Sequence, residues 1–464
     1  MTRVRDSLKK RPDARRAASR RKKAQRGTRK VPFERRIEGI SSMKLEELAG
    51  VIKEASEFED PSFESIVIDL CLRRILKHMD PQSDRHPRAE QVYTLRRLIF
   101  LSGDALLVAR TGFGKSIIFH VYTVLTGKIT IQIIPLNKLG AQQLHDIEHL
   151  GVSSPCLVTA DTKANDPKLL DRIQAGEHRH ILISPEQAAS KAFRKILSTQ
   201  KGGGNLASRI GLVVIDECHL VEQWKDFRAH FTMLYQLRAV LRRDTVWFGC
   251  TATLSAEAEA VILGSSGFRP IGDSAYETEV IRTSIDRSDI SISFTAIPRG
   301  LLAAFDRLYY VLNEAINEET QTITPQKILK TLLFIDSVKK AEALANWFHH
   351  ALVAKTAQWP VDKRYYARCG HVHANVFNIV QTYHSHVSKT DQQIRFGVYK
   401  KEGCLMRICV ATTSMGMGIN IADIDRVIIW KLPIGLDPSE LWQRAGRGGR
   451  GEGRTSIMYI FVPY

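Results

Sequence analysis

The chain has 464 residues, of which 44% are hydrophobic, and a formal net charge of +18. This length allows two or three domains with substantial cores, and no apolar run approaches the ~20 residues of a membrane-spanning helix. Seven scattered cysteines without a Cys-x-x-Cys pair argue against a structural zinc site and indicate reduced thiols in an intracellular protein.

The positive charge is concentrated in an N-terminal tail, residues 1–34. Residues 1–30 hold fourteen Lys or Arg and two Asp, a net of +12, which leaves +6 for the rest of the chain. The tail has almost no large apolar residues, so we expect it to be disordered. Its run Arg20-Arg21-Lys22-Lys23 is typical of a nuclear-import signal or a nucleic-acid-binding arm, although a solvated tail with neither role stays open. On this basis we expect a nuclear protein.

Residues 35–84 are predicted to form a short helical preface. Apolar residues recur on one face over 41–57, which predicts a first helix. Asp60-Pro61 predicts the start of a second, with Asp as N-cap and Pro in the first turn. No residue in this segment indicates chemistry.

A glycine loop follows the first apolar strand of the chain. The strand, over 105–108, leads into Ala109-Arg110-Thr111-Gly112-Phe113-Gly114-Lys115-Ser116, and a helix follows. A strand, a loop of this kind and a helix form a phosphate cradle in which backbone N–H groups bind the phosphates. Thr111, Gly112 and Gly114 shape the cradle, Lys115 reaches the β- and γ-phosphates, and the Ser116 hydroxyl binds Mg²⁺. Ala109 stands where the usual pattern has its first glycine.

Short apolar strands alternate with helical stretches from 105 to 255. This pattern predicts a parallel α/β sheet with function at the carboxyl ends of its strands. The predicted strands are 105–108, 129–134, 156–159, 180–183, 212–215 and 246–250.

An acidic pair, Asp216-Glu217, follows the fifth of these strands. We predict that Asp216 holds Mg²⁺ and that Glu217 orients and deprotonates the attacking water. Without the glycine loop, a helix-capping pair would be the default interpretation. Gln91, 24 residues before Lys115, could place its amide on the adenine edge.

A second α/β unit is predicted after a connection over 256–300, with strands at 331–335, 407–411 and 426–430. We place the domain boundary between 295 and 296, which gives an ATP-binding domain over 85–295 and a second domain over 296–464. Residues 350–380 are predicted to be an irregular insertion.

Two arginines three residues apart, Arg447 and Arg450, lie in Gln443-Arg444-Ala445-Gly446-Arg447-Gly448-Gly449-Arg450. Glycines beside them let the backbone approach a γ-phosphate, and their charge would neutralise the transferring phosphoryl group. Composition alone would favour a flexible basic loop. This motif follows a second α/β unit that has no glycine loop of its own. We therefore predict that ATP lies between two domains and that its hydrolysis opens and closes the cleft between them.

Together these motifs resemble a superfamily-two helicase core with two RecA-like domains, and more narrowly the RecQ family of DNA helicases, over roughly 85–462. The most specific stretch runs from Asp216 to Arg228, Asp-Glu-Cys-His-Leu-Val-Glu-Gln-Trp-Lys-Asp-Phe-Arg. In RecQ proteins the Gln-Trp-x-x-Asp-Phe-Arg part senses single-stranded DNA. The resemblance implies that Trp224, Phe227 and Arg228 bind DNA, and aromatics beside an arginine also suit base stacking. A buried Trp/Phe pair is the alternative.

The resemblance assigns roles to further residues. Matching stretches are Pro135-Leu136-x-x-Leu139 with Gln143, Ser184-Pro185-Glu186, Thr251-Ala252-Thr253, Tyr383-His384-Ser385, and Ala411-Thr412 with Gly416-Met417-Gly418. It implies coupling of DNA binding to hydrolysis by His219, Gln223, Thr251, Thr253, Thr412 and Gly416. It also implies adenine contact by Gln91 and triphosphate contact by Gln443, Arg447 and Arg450. DEAD-box RNA helicases differ, because they carry Asp-Glu-Ala-Asp, Ser-Ala-Thr and His-Arg-Ile-Gly-Arg.

The expected function is an ATP- and Mg²⁺-dependent 3′→5′ DNA helicase that acts on single-stranded and tailed duplex DNA, of the kind used in DNA repair and recombination, with no membrane partner. An RNA helicase of DExH type, or a DNA-dependent ATPase or binding fragment without unwinding activity, remains an alternative. RecQ proteins normally continue into a zinc-binding subdomain and a winged helix, which this sequence lacks. We therefore expect translocation and ATP hydrolysis more than strand separation.

Overall fold

The structure is a computed structural model. It describes residues 37–464 except 83, 135–136, 199, 202–203, 224–233, 273, 275, 299–304, 314, 361–362, 364–365, 370–371, 413–420, 434 and 452. Only the backbone is described at 137–139, 141–142, 200–201, 204, 223, 366–369 and 372–374. The chain divides into two compact units, one ending at His86 and the other formed by Pro87–Tyr464.

The first unit is helical, as predicted. Its helices are α1 (Leu48–Ala55) and α2 (Pro61–Met79), preceded by 3₁₀ turns at Ile40–Ser42 and Leu45–Glu47. The Asp60 carboxylate caps α2 by accepting from the Ser62 N–H at 2.9 Å, as the Asp-Pro pair predicted. The single helix predicted over 41–57 is wrong in its first turns. There the Glu47 carboxylate accepts from the Lys44 N–H at 3.1 Å, which caps a new helical start.

The second unit contains two parallel sheets. The first has seven strands in the order β3-β4-β2-β7-β8-β1-β9. These strands are β1 (Asp104–Val108), β2 (Ile129–Ile133), β3 (Pro155–Val158), β4 (His180–Ile183), β7 (Ile210–Asp216), β8 (Val246–Thr251) and β9 (Thr278–Arg282). Every residue of β1, β2, β4, β7 and β8 is buried, which explains why these segments are mostly apolar in the sequence.

Helices and a small hairpin connect the strands of the first sheet. The helices are α3 (Ala89–Ile99), α4 (Lys115–Thr126), α5 (Asn137–Glu148), α6 (Ala160–Asn165), α7 (Leu169–Ala175), α8 (Pro185–Ala188), α9 (Lys191–Ser198), α10 (Leu220–Gln223), α11 (Tyr235–Val240) and α12 (Ala256–Ser265), and the hairpin pairs β5 (Gln200–Lys201) with β6 (Gly204–Asn205). Strand β1 lies between β8 and β9, and β7 lies on the other side of β8. The loop after β1 is therefore close to the carboxyl ends of β8 and β7.

The second sheet has six parallel strands in the order β10-β19-β18-β13-β17-β16. They are β10 (Ile290–Ile297), β13 (Thr331–Phe334), β16 (Val380–Tyr383), β17 (Ile408–Ala411), β18 (Arg426–Ile429) and β19 (Ser456–Pro463). The helices are α13 (Tyr310–Asn313), α14 (Val338–Lys355), α15 (Lys389–Lys400) and α16 (Pro438–Ala445), and two antiparallel hairpins pair β11 (Ile316–Asn317) with β12 (Thr322–Ile323) and β14 (Tyr366–Cys369) with β15 (Val372–Asn375).

The predicted class, two parallel α/β domains after a helical preface, is confirmed, but two segments differ from the prediction. The "connection" over 256–300 holds a helix, the last strand of the first sheet and the first strand of the second, so the chain changes sheets between Arg282 and Ile290 rather than at 295. The insertion over 350–380 contains the β14–β15 hairpin. Strands β9 and β10 lie at sheet edges, where one side is exposed, so no continuous apolar run marks them.

Across the described part of the chain, no helix combines the length and apolar character needed to cross a bilayer.

Candidate active site

The glycine loop forms the turn between β1 and α4. Gly112 and Gly114 have φ angles of 77° and 86°, a region that side-chain-bearing residues rarely adopt. Helix α4 begins at Lys115, so its first N–H groups face the loop, as the phosphate cradle predicted. The Lys115 Nζ donates to the carbonyls of Ala109 at 2.8 Å and Arg110 at 3.1 Å, which holds its charge over the loop.

Gln91 supports this loop from α3. Its Nε2 donates to the carbonyls of Phe113 at 3.3 Å and Gly114 at 3.0 Å, and its Oε1 accepts from the Arg88 N–H at 2.8 Å. A Cβ added at Gly114 would stand 2.8 Å from the Gln91 Nε2, so this glycine also permits the contact. The Gln91 side-chain amide, which was predicted to contact adenine, therefore donates to the backbone of the glycine loop.

Asp216 lies at the carboxyl end of β7 and is buried. Its Oδ2 accepts from the Gln143 Nε2 at 2.7 Å, and its Oδ1 accepts from the Glu217 N–H at 2.9 Å. Burial, and after it the charge of Glu217, raises the pKa of Asp216, while the hydrogen bonds from Gln143 and Cys250 lower it. The two carboxylates are therefore held close together despite their repulsion.

A chain of buried side chains continues from Asp216 through the first sheet. Gln132 on β2 donates to the Gln143 Oε1, and the Gln132 Oε1 is paired with the His180 Nε2 at 2.9 Å. Because the Gln132 oxygen can only accept, His180 is the donor. Every donor in the chain from His180 to Gln143 therefore points towards the Asp216 carboxylate.

The residues present suit Mg²⁺, which prefers hard oxygen ligands. Ser116 lies in the first turn of α4, and Asp216 and Glu217 follow β7. The Glu217 Oε2 is buried and accepts no hydrogen bond from the described residues; the His219 Nδ1 stands 3.5 Å from it. A buried carboxylate oxygen without a donor is suited to a cation or an attacking water.

His219 joins the two sheets of the second unit. Its Nε2 lies 2.9 Å from the Gln443 Nε2 on α16, and its Nδ1 lies 2.9 Å from the Thr251 Oγ1 at the end of β8. Since the Gln443 amide nitrogen donates, the His219 Nε2 accepts and the proton resides on Nδ1. Burial lowers the pKa of His219, which keeps the ring neutral as this arrangement requires. The Thr251 hydroxyl then donates to the Thr253 carbonyl at 2.8 Å.

Arg447 and Arg450 follow α16. The side chain of Arg447 is buried, and burial lowers its pKa to about 10 while the charge of Glu217 raises it. Arg450 donates from Nε to the Gly446 carbonyl at 2.8 Å. Burial lowers the pKa of Arg450 well below its usual value, and the charge of Glu217 opposes this. Both predicted arginines are therefore close enough to Glu217, which follows a strand of the other sheet, for its charge to raise their pKa.

Glycines permit this approach. A Cβ on Gly446 would overlap the Thr111 side chain of the glycine loop, and one on Gly448 would overlap Ser456. The backbone at Gly446 therefore packs closely on the glycine loop, while the predicted approach of this backbone to a γ-phosphate stays a prediction.

Arg287 is a site residue that the sequence reasoning missed. It lies between the two sheets and is buried. Its NH1 donates to the Thr111 Oγ1 at 3.1 Å, and its NH2 donates to the carbonyls of Gly448 at 2.9 Å and Gly449 at 3.1 Å. The only available signal was an Arg-x-Asp pair, Arg287 and Asp289, within a segment interpreted as a connection.

Some predicted residues are not placed. Trp224, Phe227, Arg228 and Gly416 lie outside the described residues, as does the side chain of Gln223. Thr412 follows β17, and its N–H donates to the Tyr383 carbonyl at 3.3 Å. The predicted DNA contacts of the aromatic loop therefore stay predictions.

Comparisons with known proteins follow this division into two sheets. The family model described as DEAD/DEAH box helicase matches residues 88–261, and the one described as helicase conserved C-terminal domain matches residues 317–452. Two matched lobes with the ATP motifs between them define the core of a superfamily-two helicase.

Within that class the chain is RecQ-like, as its motifs indicated. It is 22% identical over 366 residues to the ATP-dependent DNA helicase RecQ of Haemophilus influenzae, covering 78% of this chain and 49% of the relative. It is 27% identical over 364 residues to the bifunctional 3′-5′ exonuclease/ATP-dependent helicase WRN of Mus musculus, covering 78% and 22%. The chain thus spans about half the length of the Haemophilus influenzae relative and 22% of the length of the Mus musculus relative.

Solved structures share the fold at low identity. The DUF1998 helicase MrfA bound to DNA matches with a TM-score of 0.61 and 13% identity, over 84% of this chain and 48% of that one. S. cerevisiae Dbp5 bound to RNA and ADP BeF3 matches with a TM-score of 0.56 and 16% identity, over 84% and 87%. The fold is therefore shared by proteins bound to either nucleic acid and does not choose between them.

Proposed function

We propose that this chain is the motor core of an ATP-dependent DNA helicase or translocase of RecQ type, which couples hydrolysis of Mg·ATP to 3′→5′ movement on single-stranded DNA. The observation that carries the proposal is the hydrogen bond from Gln443 to His219. It connects the acidic pair after β7 to the helix that precedes both arginines. A change at the nucleotide can therefore be transmitted between the lobes.

Each residue has a role that follows from its position. Lys115 supplies a fixed positive charge over the loop, while Ser116 and Asp216 offer oxygen ligands to the metal. Glu217 is the proposed base, since its Oε2 accepts no hydrogen bond from the described residues. Arg447 and Arg450 place two positive charges from the other lobe. Bound Mg²⁺ would supply further positive charge to the phosphates.

The base of the nucleotide is proposed to bind in a cleft of about 380 Å³ beside the glycine loop. Arg88, Arg110, Phe113 and Thr283 are among its lining residues. The Arg88 guanidinium stands 5.2 Å from the Phe113 ring centroid, and its Nε donates to the Phe113 carbonyl at 3.2 Å. These flat groups suit stacking on a purine, and Gln91 lies next to them.

The test is steady-state ATP hydrolysis without nucleic acid, with single-stranded DNA and with single-stranded RNA, at one fixed low salt concentration because phosphate contacts depend on salt. Strong stimulation by DNA alone is the expected result, and an unwinding assay on a tailed duplex would then follow. Equal stimulation by RNA would support an RNA helicase instead. Absence of hydrolysis under all conditions would contradict an active motor.

Lys115→Ala is the control for the site. It removes the charge over the loop without filling or emptying a core position, so turnover should be lost while the thermal unfolding temperature stays close to that of the unchanged protein. Normal hydrolysis in this variant would refute the assignment of the ATP site.

We further propose that the protein acts in the nucleus. The support is the basic run in the tail, Arg20-Arg21-Lys22-Lys23, together with the DNA-directed function proposed above.

A further inference from the structure

The segment between the two sheets, residues 283–289, contacts both halves of the ATP site. At its start, the Thr283 N–H donates to the Val108 carbonyl at 2.9 Å, at the end of the strand that leads into the glycine loop. In its middle, the Ile285 carbonyl accepts from the Trp442 Nε1 on α16 at 3.2 Å. At its end, the Asp289 carbonyl accepts from the Ser456 N–H at 2.9 Å, at the start of β19. A simple tether would not need contacts at each of these positions.

Arg287 makes the contacts that join the two halves. The Arg287 side chain is only 3% exposed, and its donors are shared among four partner residues, one of which is Asp289 in the same segment. One donates to Thr111 in the glycine loop. Others donate to the carbonyls of Gly448 and Gly449, between the two arginines. The planar, five-donor guanidinium is the side chain that can serve several acceptors at once in fixed directions.

Asp289 holds this guanidinium in place. It accepts from the Arg287 Nε at 2.8 Å and from its NH2 at 2.6 Å, a bidentate pair. The Arg110 NH1, in the glycine loop, lies 3.5 Å from the Asp289 Oδ1, the oxygen that also accepts from the Arg287 Nε. Arg287 contacts the glycine loop at Thr111, and Asp289 contacts it at Arg110. Because Asp289 belongs to the same segment as Arg287, the segment itself fixes the orientation of the guanidinium.

The arginines proposed for catalysis lie beside this cluster. After burial, the charges of Arg447 and Arg287 are what lower the pKa of Arg450, so these guanidinium groups are neighbours. Gly449 has a φ of 60°, and a Cβ there would stand 3.1 Å from the Asp289 Oδ2. The backbone between Arg447 and Arg450 is therefore pressed against the Arg287–Asp289 pair.

We propose that Arg287 is a positioning residue that sets the arginine-bearing loop, 446–450, against the glycine loop, so that the distance between Lys115 and the arginines depends on the inter-sheet segment. This proposal adds a positioning residue to the proposed function. Only its kinetic consequence rests on that function. The positioning itself is a property of the protein without nucleotide.

The test compares Arg287→Ala, Arg287→Lys and Arg282→Ala with the unchanged protein. Arg282 is the matched control, since it ends β9 just before the segment and its half-exposed side chain pairs with Glu259 on α12. Lysine keeps the charge but cannot reach three acceptors in fixed directions. Amide hydrogen exchange of the full chain without nucleotide is the first measurement. Faster exchange in 446–451 and 109–114 is expected for Arg287→Ala, with a smaller change for Arg287→Lys and none for Arg282→Ala.

Kinetics and nucleotide binding give the second measurement. For Arg287→Ala we expect DNA-stimulated kcat to fall about tenfold or more, because small displacements of a catalytic group are costly. Affinity for a fluorescent ATP analogue should change by less than about threefold, since Arg287→Ala keeps every residue of the glycine loop, including Lys115 and Ser116. A fall in affinity as large as the fall in kcat would overturn the proposal in favour of direct nucleotide contact.

Two further results would overturn it. Unchanged exchange in both loops of Arg287→Ala would show that Arg287 does not hold them, and equal effects in Arg282→Ala would show a general weakening of the segment. If the unchanged protein failed to hydrolyse ATP, the proposed function would fail, while the exchange comparison would still decide the positioning role.

Discussion

Glu217 occupies an unusual backbone conformation, with a φ of 48°. Left-handed backbone costs a residue with a side chain about 1–2 kcal/mol, so neighbouring contacts must hold it. The Asp216 side chain accepts from the Glu217 N–H, and the Cys218 N–H donates to the Cys250 carbonyl at 3.1 Å. These two bonds fix the backbone on both sides. The two carboxylates have different neighbours, since the Asp216 Oδ2 accepts from Gln143 and the Glu217 Oε2 lies 3.5 Å from the His219 Nδ1, which is compatible with their proposed roles as metal ligand and base.

Gln143→Leu should weaken metal binding. The change removes the hydrogen bond that orients the Asp216 Oδ2, and it leaves the Gln132 amide without its acceptor. We expect the Mg²⁺ concentration needed for half-maximal binding of a fluorescent ATP analogue to rise roughly tenfold to a hundredfold, in line with other residues that support metal ligands. Titration of Mg²⁺ at constant nucleotide measures this. Thr130→Val is the control, because Thr130 is buried on β2, as Gln132 is, but its hydroxyl pairs with the Thr123 hydroxyl. Equal Mg²⁺ requirements in all three proteins would contradict the role of Gln143.

Gln143→Leu should also move the acid limb of the pH–rate profile of ATP hydrolysis to higher pH. Asp216 must be ionised to bind a cation, burial and Glu217 raise its pKa, and the Gln143 bond lowers it. Loss of this bond raises the pKa further, so as pH falls the carboxylate is protonated, and activity is lost, at a higher pH than in the unchanged protein. A pH–rate profile at saturating Mg²⁺ measures the shift. A profile that coincides with that of Thr130→Val would show that Gln143 does not stabilise the charged carboxylate.

At the scale of elements, helix α16 is placed so that its last turn reaches the other lobe. Asp437 caps the helix by accepting from the Ser439 N–H at 2.8 Å, and Pro438 occupies the first position. This start fixes the rotation of the helix, so that Gln443 and Arg444 are buried and Gln443 meets His219. The helix C-terminus then leads directly into the glycines and arginines of 446–450.

Gln443→Met should uncouple the lobes with little effect on nucleotide binding. Methionine has a similar length but cannot donate, so the buried His219 Nε2 would lose its partner, at about 1–3 kcal/mol. We expect kcat for DNA-stimulated hydrolysis to fall about tenfold or more while KM for ATP changes little. Glu440→Gln, which removes the negative charge that pairs with Arg444 on the same helix and keeps an acceptor oxygen, serves as the control. A kcat equal to that of the control would show that the bond does not couple hydrolysis.

At the scale of the whole molecule, charge is divided unevenly. Residues 1–30 carry +12 of the net +18, so the tail would dominate non-specific attraction to nucleic acid. The motor itself is only mildly basic. Affinity for DNA would then come from two sources that differ in salt dependence, the tail and the sites on the two lobes.

Removal of residues 1–34 should therefore weaken DNA binding mostly at low salt. Binding of a fluorescent single-stranded oligonucleotide across a range of salt concentrations would measure this. We expect a shallower dependence of affinity on salt in the shortened protein, because fewer counterions are released, with the maximal rate of DNA-stimulated hydrolysis retained. Equal slopes would show that the tail does not contact DNA. Localisation of the two forms in cells tests the nuclear-import proposal separately.

Much of the fold was predictable from the sequence, for a physical reason. Strands buried on both faces are mostly apolar, so β1, β2, β4, β7 and β8 were predicted within one or two residues of their bounds. The glycine loop and the acidic pair were equally visible, because phosphate binding and metal chemistry demand particular residues at particular distances along the chain. What the sequence determined by itself was the chemistry carried by each local stretch.

Only the tertiary structure decided which distant residues meet. Arg287 lies in a polar segment without periodicity, and Gln132 and His180 are polar residues within mostly apolar strands. Their importance comes from partners far away in the chain, such as Thr111, Gly448 and Asp216. Sequence patterns report local periodicity and spacing, whereas contacts across a sheet or between two lobes depend on strand order and packing, which no local pattern contains.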